Sequence, residues 1–231
     1  MCRNNVISVT IKEDVLRKRA EQLFHFISGF SKENPPTQYQ REDIESVWEI
    51  VAPKIQIDAY VKSVLEYSFF ENYMMLESKQ VYYNLPLSEY REQITGVYVF
   101  LISQPSIVED GQNALEQLYT HIWQNAYLDA AREWLKEWIG KKYASFVSQS
   151  IAPGFYGIAL DEMKLFYNVV DGQNTFVKLR QDGMLEPEKS VLGMYLTLTE
   201  DILRQRTKWG SLSFLICRDF SFLFSVTVTL P

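Results

Sequence analysis

The chain has 231 residues, of which 47% are hydrophobic, 14% aromatic and 23% charged, so it is long and apolar enough to bury a core and is not a disordered protein. Its 23 Lys and Arg residues against 29 Asp and Glu residues give a net charge of −6, which argues against binding to the phosphate backbone of nucleic acids. Cys2 and Cys217 are too few for a disulfide framework or a thiolate metal site.

Neither a targeting segment nor a membrane span is predicted. Polar residues Asn4 and Asn5 follow Arg3 with no apolar stretch after them. No stretch reaches the ~18 apolar residues that a spanning helix needs. We therefore expect a cytoplasmic protein with neither nucleic acid nor a membrane among its partners.

Two amphipathic helices are predicted in the N-terminal part. The first begins at a capping box formed by Thr10 and Glu13 and ends at Gly29. Its apolar residues at helical spacing are Val15, Leu16, Leu23, Phe24 and Ile27. After a polar connector, a second and shorter helix stops near Pro53. Its apolar residues are Ile44, Val47, Trp48 and Val51.

Residues 55–102 favour strands. Residues 55–83 are rich in β-branched and aromatic side chains and contain a predicted strand at 80–83. Residues 97–102 form a continuous apolar run, which is typical of a short buried strand.

The strongest periodic signal covers residues 111–146 and predicts one long helix or two in tandem. The residues that step by three and four are Leu115, Leu118, Tyr119, Ile122, Trp123, Ala126, Tyr127, Ala130, Trp134, Leu135 and Trp138. We expect this face of Trp and Leu residues to be buried against a sheet.

The remaining chain predicts alternating helices and strands after a break at Pro153 and Gly154. We expect a helix at 161–170, strands at 176–179 and 190–198, a helix at 199–205 and two strands within 211–229. Without an internal repeat or a long linker, residues 1–231 are predicted to form a single α+β domain. Its N-terminal part (1–54) is helical and its core is formed by residues 55–231.

Standard catalytic and metal-binding patterns are missing from the sequence. His25 and His121 lack a second ligand at metal spacing, and we interpret both as structural or exposed. Glu109 and Asp110 are interpreted as an N-terminal charge pair of the long helix. Neither a Gly-x-Ser-x-Gly elbow nor a glycine-rich phosphate loop occurs.

The long helix leaves two alternatives open. Its aromatic stripe is either a core face, which the spacing favours, or a surface that stacks a planar ligand. This stripe consists of Trp123, Tyr127, Trp134 and Trp138. Glu133 is either solvated, which its residue type favours, or lies at a pocket edge. There it would accept hydrogen bonds from an amine or a ribose hydroxyl.

Three segments carry a family resemblance. They are a helix Tyr-Leu-Asp-Ala-Ala-Arg-Glu at 127–133, a turn Ile-Ala-Pro-Gly-Phe-Tyr-Gly at 151–157 and a strand Pro-Glu-Lys-Ser-Val-Leu-Gly-Met-Tyr at 187–195. In this order and spacing they resemble the activation domain of cobalamin-dependent methionine synthase. That family combines an Asp-containing helix, an Ala-Pro-Gly-Tyr turn and a Met-x-Pro-x-x-Ser-Val-x-Gly-x-Tyr strand, which this chain matches from Pro187 onward, with Leu185 at the Met position. The resemblance extends over about residues 96–198.

The resemblance implies a fold with a twisted, mostly antiparallel sheet and long helices. It also implies a stand-alone reactivation module that binds S-adenosylmethionine and assists reductive methylation of the corrinoid (cobalamin) cofactor on a partner methyltransferase. The binding residues that it implies are Glu133, Ala152, Pro153, Gly154, Phe155 and Tyr195. No catalytic residue is assigned, because 231 residues are too few for the homocysteine, folate and corrinoid modules of the full enzyme.

Two further positions, both in the turn segment, depart from the family pattern. Ser150 stands where the family has an Arg that pairs with the methionyl carboxylate, and Phe155 stands where the turn has a Tyr. Losing a charge-assisted hydrogen bond costs about 2 kcal/mol, a factor of about thirty in affinity. Lys178 and Lys189 are the nearest candidate replacements. The alternative function is a non-catalytic partner that docks on a corrinoid protein and has lost the ligand site.

Overall fold

The computed structural model describes residues 6–107 and 113–199. The predicted Glu109–Asp110 charge pair, the strands within 211–229 and, apart from Thr199, the helix at 199–205 lie outside these residues. None of the helices in the described part of the chain has the length and apolar character to cross a membrane.

The described residues form ten strands and four α-helices. The strands are β1 (Val6–Ile11), β2 (Ile57–Val64), β3 (Tyr67–Phe69), β4 (Tyr73–Leu76), β5 (Lys79–Tyr82), β6 (Ile94–Ser103), β7 (Phe146–Val147), β8 (Lys178–Leu179), β9 (Leu185–Glu186) and β10 (Ser190–Leu198). The helices are α1 (Glu13–Ile27), α2 (Gln38–Val51), α3 (Ala114–Tyr143) and α4 (Met163–Val169).

A five-stranded sheet organises the fold, in the order β1-β2-β6-β10-β7, and every neighbouring pair is antiparallel. In the central strand β6, Phe100 lies opposite Val61 of β2 on one side and Gly193 of β10 on the other. Strands β3, β4 and β5 form a second antiparallel sheet, and β8 pairs with β9. The predicted α+β class with a mostly antiparallel sheet is confirmed.

The two faces of the central sheet carry separate hydrophobic clusters because side chains alternate along a strand. Tyr98, Phe100 and Ile102 of β6 belong to a cluster with α1, α2 and α3. Val97 and Leu101 of the same strand belong to a cluster with β3 to β5 and α4. Strand β6 is therefore apolar on both faces, which explains the continuous apolar run.

The first predicted helix is confirmed as α1, but its predicted capping box is wrong. Thr10 lies in β1, where its hydroxyl donates to the Asp58 carboxylate at 2.6 Å. The residue at the N-cap of α1 is Lys12, which makes no capping side-chain bond. Val15 is 55% exposed, so it does not share the buried face of Leu16 and Phe24.

The second helix is also confirmed and has a cap that the sequence prediction missed. Thr37 accepts from the backbone N–H of Gln40, whose side chain bonds back to Thr37. Helix α2 ends at Val51, and Pro53 lies in the 3₁₀ turn that follows. The predicted helical N-terminal part additionally contains β1, an edge strand of the sheet.

The long helix is confirmed as α3, a single helix of 30 residues. Trp123 and Ala130 are buried, at 4% and 0% exposed. Leu115 and Leu118 are 43% and 53% exposed, so the prediction that they are buried is wrong. Leu118 precedes Trp123 by five residues, which at 3.6 residues per turn places the two about 140° apart around the helix.

The C-terminal elements are shorter than predicted, with one exception. The helix expected at 161–170 is a 3₁₀ turn, Leu160–Glu162, followed by α4. The strand expected at 176–179 is reduced to β8, because residues up to Val177 follow the 3₁₀ turn Gly172–Asn174 without strand pairing. The strand at 190–198 is confirmed as β10.

Candidate functional site

The segment that follows α3 runs along the edge of the central sheet beside β10. The Ser148 N–H donates to the Leu196 carbonyl at 2.9 Å. Ile151 and Met194 exchange two backbone hydrogen bonds of 2.9 and 2.7 Å. These bonds lie on either side of Tyr195 and fix the edge segment 148–151 next to it.

The predicted turn follows this edge segment directly. Gly154 has φ +87°, a conformation that favours glycine. Its N–H donates to the Ile158 carbonyl at 2.9 Å, and the Phe155 N–H donates to the Ala152 carbonyl at 3.1 Å. Pro153 is buried, whereas the Phe155 ring is 44% exposed. The backbone N–H groups of Gly154 and Phe155 are therefore engaged within the turn.

Gly193 allows the start of the turn to approach the helix-covered face of the sheet. A Cβ at Gly193 would lie 2.9 Å from the Ile151 carbonyl oxygen, 3.1 Å from the Phe100 ring and 3.3 Å from the Ala152 Cβ. Any larger residue at 193 must displace backbone atoms. The strand glycine of the motif is thus required for close packing with the turn.

Tyr195 connects β10 to α3. Its side chain is 1% exposed, and its ring stacks on Phe100 at 4.6 Å between centroids. Its hydroxyl donates to the backbone carbonyl of Arg132 at 2.9 Å. Burial raises the pKa of Tyr195 well above its usual value. The predicted binding residue Tyr195 is therefore a support that holds one turn of α3 against the sheet.

Four charged residues on this part of α3 each have another of the four at a distance of three or four positions along the helix. We call Asp129, Arg132, Glu133 and Lys136 the charged stripe. Arg132 Nη2 lies 3.0 Å from Asp129 Oδ1, with side chains only 17% and 24% exposed. The Arg132 Nε is buried and has no hydrogen-bond partner among the described residues.

Desolvation changes the acid–base behaviour of the charged stripe. Burial raises the pKa of Asp129, although the Arg132 charge opposes the shift. Burial also lowers the pKa of Lys136. Charges in such an environment interact more strongly than in water. Two carboxylates beside a guanidinium suit a zwitterionic ligand that carries both an amino group and a carboxylate.

The structure brings only some of the predicted site residues together. Glu133, Ala152 and Tyr195 lie at the corner where α3, β10 and the edge segment meet. Gly154 and Phe155 lie further along the exposed turn. We call the charged stripe, the edge segment 148–151 and the turn start at Ala152 the stripe corner.

The sequence analysis missed Arg132. The available signal was its position three residues after Asp129 and directly before Glu133 in the family-like helix segment. The two lysines proposed instead are placed differently. Lys178 is exposed on β8, and the Lys189 Nζ donates to Asn125 Oδ1 at 2.9 Å.

The aromatic stripe divides into two parts. Trp123 and Tyr127 are core residues, as the spacing favoured. Trp134 and Trp138 are half-buried and stacked on each other at 6.5 Å, with the Lys142 ammonium 4.5 Å from the Trp138 ring. Both histidines lie on helices, and no cluster of metal-ligating side chains occurs within residues 6–107 and 113–199.

Three open grooves lined by described residues lie away from the stripe corner. The largest, of about 590 Å³, lies between Pro105 and Pro187. The others, of about 400 and 380 Å³, lie at Trp48 and at Asn168.

No protein-family model and no curated protein sequence matches this chain. Among solved structures, the chain is similar to the MetH reactivation domain, whose crystal structure was determined with AdoHcy bound. The two share 12% sequence identity and a TM-score of 0.66, over 94% of this chain and 92% of that one. The chain therefore has the fold of the MetH reactivation domain.

Proposed function

We propose that this chain binds S-adenosylmethionine at the stripe corner and assists reductive methylation of a corrinoid cofactor on a partner methyltransferase. The observation that carries the proposal is the convergence of Glu133, Ala152 and Tyr195 at one corner of a fold whose solved counterpart holds AdoHcy. The bound ligand supplies the methyl group, and a separate one-electron donor is needed. The corrinoid and its reaction belong to the partner protein.

The residues at the corner fit such a ligand in charge. The Glu133 and Asp129 carboxylates offer acceptors and negative charge to an ammonium or sulfonium group. Gly193 lets Ile151 and Ala152 pack closely against β10, which fixes the turn start beside this part of α3. Tyr195 contributes by fixing the backbone of α3 at Arg132, which orients the adjacent Glu133.

The proposal is tested by calorimetric titration of S-adenosylmethionine into the wild-type chain and two variants. Glu133→Gln removes the proposed partner of the ligand cation and should weaken binding about tenfold or more. Glu137→Gln is the matched control, because Glu137 lies one turn further on the same helix and pairs with Arg19 at 2.6 Å. Equal affinity of both variants contradicts the proposed site.

The second candidate is a protein that docks on a corrinoid protein and binds no nucleoside. It is favoured by the buried Tyr195, by Ser150 and by the turn amides that are already hydrogen bonded. Sedimentation with a purified, cobalamin-loaded methyltransferase module distinguishes the two functions. Association without any heat from S-adenosylmethionine supports the second candidate.

A further inference from the structure

Arg132 carries a donor that the fold leaves unused. Its side chain is 17% exposed, one of its terminal nitrogens pairs with Asp129 at 3.0 Å, and its Nε is buried without an acceptor among the described residues. A buried donor without an acceptor destabilises the folded chain. A guanidinium also has a planar arrangement of five donors that matches a carboxylate.

The backbone at Arg132 is held in place. The Tyr195 hydroxyl binds its carbonyl at 2.9 Å, and Tyr195 itself is packed on Phe100. The edge segment 148–151, which includes Ser150, pairs with β10 through its backbone on either side of Tyr195. A guanidinium on this turn of α3 and a residue at 150 therefore belong to the same corner.

Other cations are less suited to this role. The Lys189 ammonium is bonded to Asn125, which lies seven residues before Arg132 on α3. Arg180 pairs with Asp182 and is 58% exposed. Within the charged stripe, Lys136 offers a point charge without the planar donor set of a guanidinium.

We propose that Arg132 binds the carboxylate of the S-adenosyl ligand. Ser150, at the position of the family's arginine, has no charge with which to do so. The adjacent Glu133 binds the ligand's ammonium group. This inference rests on the function proposed above. It assigns selectivity for the amino-acid end of the ligand to two neighbouring residues of α3 and a supporting role to Asp129, which holds the guanidinium from the other side.

The test compares S-adenosylmethionine with decarboxylated S-adenosylmethionine, which lacks only the carboxylate, by calorimetry at low salt. We expect the wild-type chain to bind the carboxylated ligand at least about tenfold more tightly. In Arg132→Gln this preference should fall to about twofold or less, with unchanged affinity for the decarboxylated ligand. Arg132→Lys should retain part of the preference, and Arg180→Gln should retain all of it.

The other outcomes overturn either the role of Arg132 alone or the proposed function together with it. If the wild type binds both ligands equally, or if Arg132→Gln weakens both equally, Arg132 does not bind the carboxylate and the nucleoside site itself survives. If neither ligand binds the wild type, the proposed function fails together with this inference. A wild type without any preference overturns the inference by itself, and Arg132→Lys, which keeps the charge, assigns an observed preference if Arg132→Gln does not fold.

Ser150→Arg gives an independent check. If Arg132 already binds the carboxylate, an added Arg at 150 should change the affinity for S-adenosylmethionine by less than about threefold. A gain of tenfold or more, the range for a new bond between charged groups, means that the carboxylate has no cationic partner in the wild type and overturns the inference.

Discussion

The N-terminal half of α3, up to Leu128, packs aromatic side chains against α1 and α2, whereas the following two turns carry the charged stripe into a half-buried corner. In the first half, Trp123 stacks on Phe24 at 4.2 Å. The Trp48 indole N–H donates to the Tyr127 hydroxyl at 3.0 Å, and that hydroxyl donates to the Glu13 carboxylate. Gln124, also in this half, has a buried Nε2 without a hydrogen-bond partner among the described residues.

In the charged stripe, the unpartnered buried donor belongs to a charged side chain. Its guanidinium has one unpartnered donor, and the pKa of its Asp129 carboxyl is raised by burial. Half-buried ion pairs contribute little to stability because desolvation offsets their attraction. Packing therefore explains the first half of the helix, and the second half is where we propose that the ligand binds.

The largest expected effect concerns the packed half. Trp123→Ala removes a nearly fully buried ring and should destabilise the fold by about 3–5 kcal/mol. Leu118→Ala, on the same helix but 53% exposed, should change the stability by less than about 1 kcal/mol. Denaturant unfolding measures both. Similar losses in the two variants contradict the assignment of the buried face.

The charged stripe should respond in the opposite way. A variant that combines Asp129→Leu with Arg132→Met should be within about 1 kcal/mol of wild-type stability, because an apolar pair replaces a desolvated ion pair. It should bind S-adenosylmethionine at least about tenfold more weakly. Arg132→Met alone should be less stable than the combined variant, since it leaves the Asp129 carboxylate unpaired. If the combined variant is the least stable one, the stripe is a structural element.

A smaller effect is expected at the N-terminus of α3. Asn113 accepts from the backbone N–H groups of Leu115 and Glu116 at 3.0 Å each. Asn113→Ala should cost about 1 kcal/mol in unfolding experiments and leave ligand affinity unchanged. Lys12→Ala at the uncapped start of α1 is the control and should cost less than half of that.

The smallest effect is a pH dependence. Because burial raises the pKa of Asp129, the folded chain binds this proton more tightly than the unfolded chain does. The stability that Asp129 contributes is therefore largest in acid and decreases as pH rises through its raised pKa. The free energy of unfolding of wild type minus that of Asp129→Asn should decline between about pH 4 and pH 7. A difference that rises over this range contradicts the burial of Asp129.

The local sequence pattern predicted the elements whose burial is evident from their own residues. The apolar run of β6, the strand β10 and the length of α3 follow directly from local sequence. Short strands such as β3 and β4 were missed because their pairing depends on neighbours in the sheet rather than on their own residues. The cap of α1 was misplaced because Thr10 has a strand partner, Asp58, that lies 48 positions away.

The candidate site was predictable only where a motif fixed it. The resemblance indicated Glu133, Ala152 and Tyr195, which the fold brings to one corner. It did not indicate that Tyr195 is buried or that Arg132 has an unused donor, because both depend on contacts between α3 and β10. Spacing along the chain contains no information about these contacts.

The most direct test of the account is a crystal structure of the chain with S-adenosylhomocysteine. We expect the nucleoside at the stripe corner, between α3 and the edge segment 148–151. Its ammonium should lie within hydrogen-bonding distance of Glu133 and its carboxylate at Arg132. A ligand in the groove between Pro105 and Pro187, or a chain that remains without ligand at millimolar concentration, would contradict the central claim.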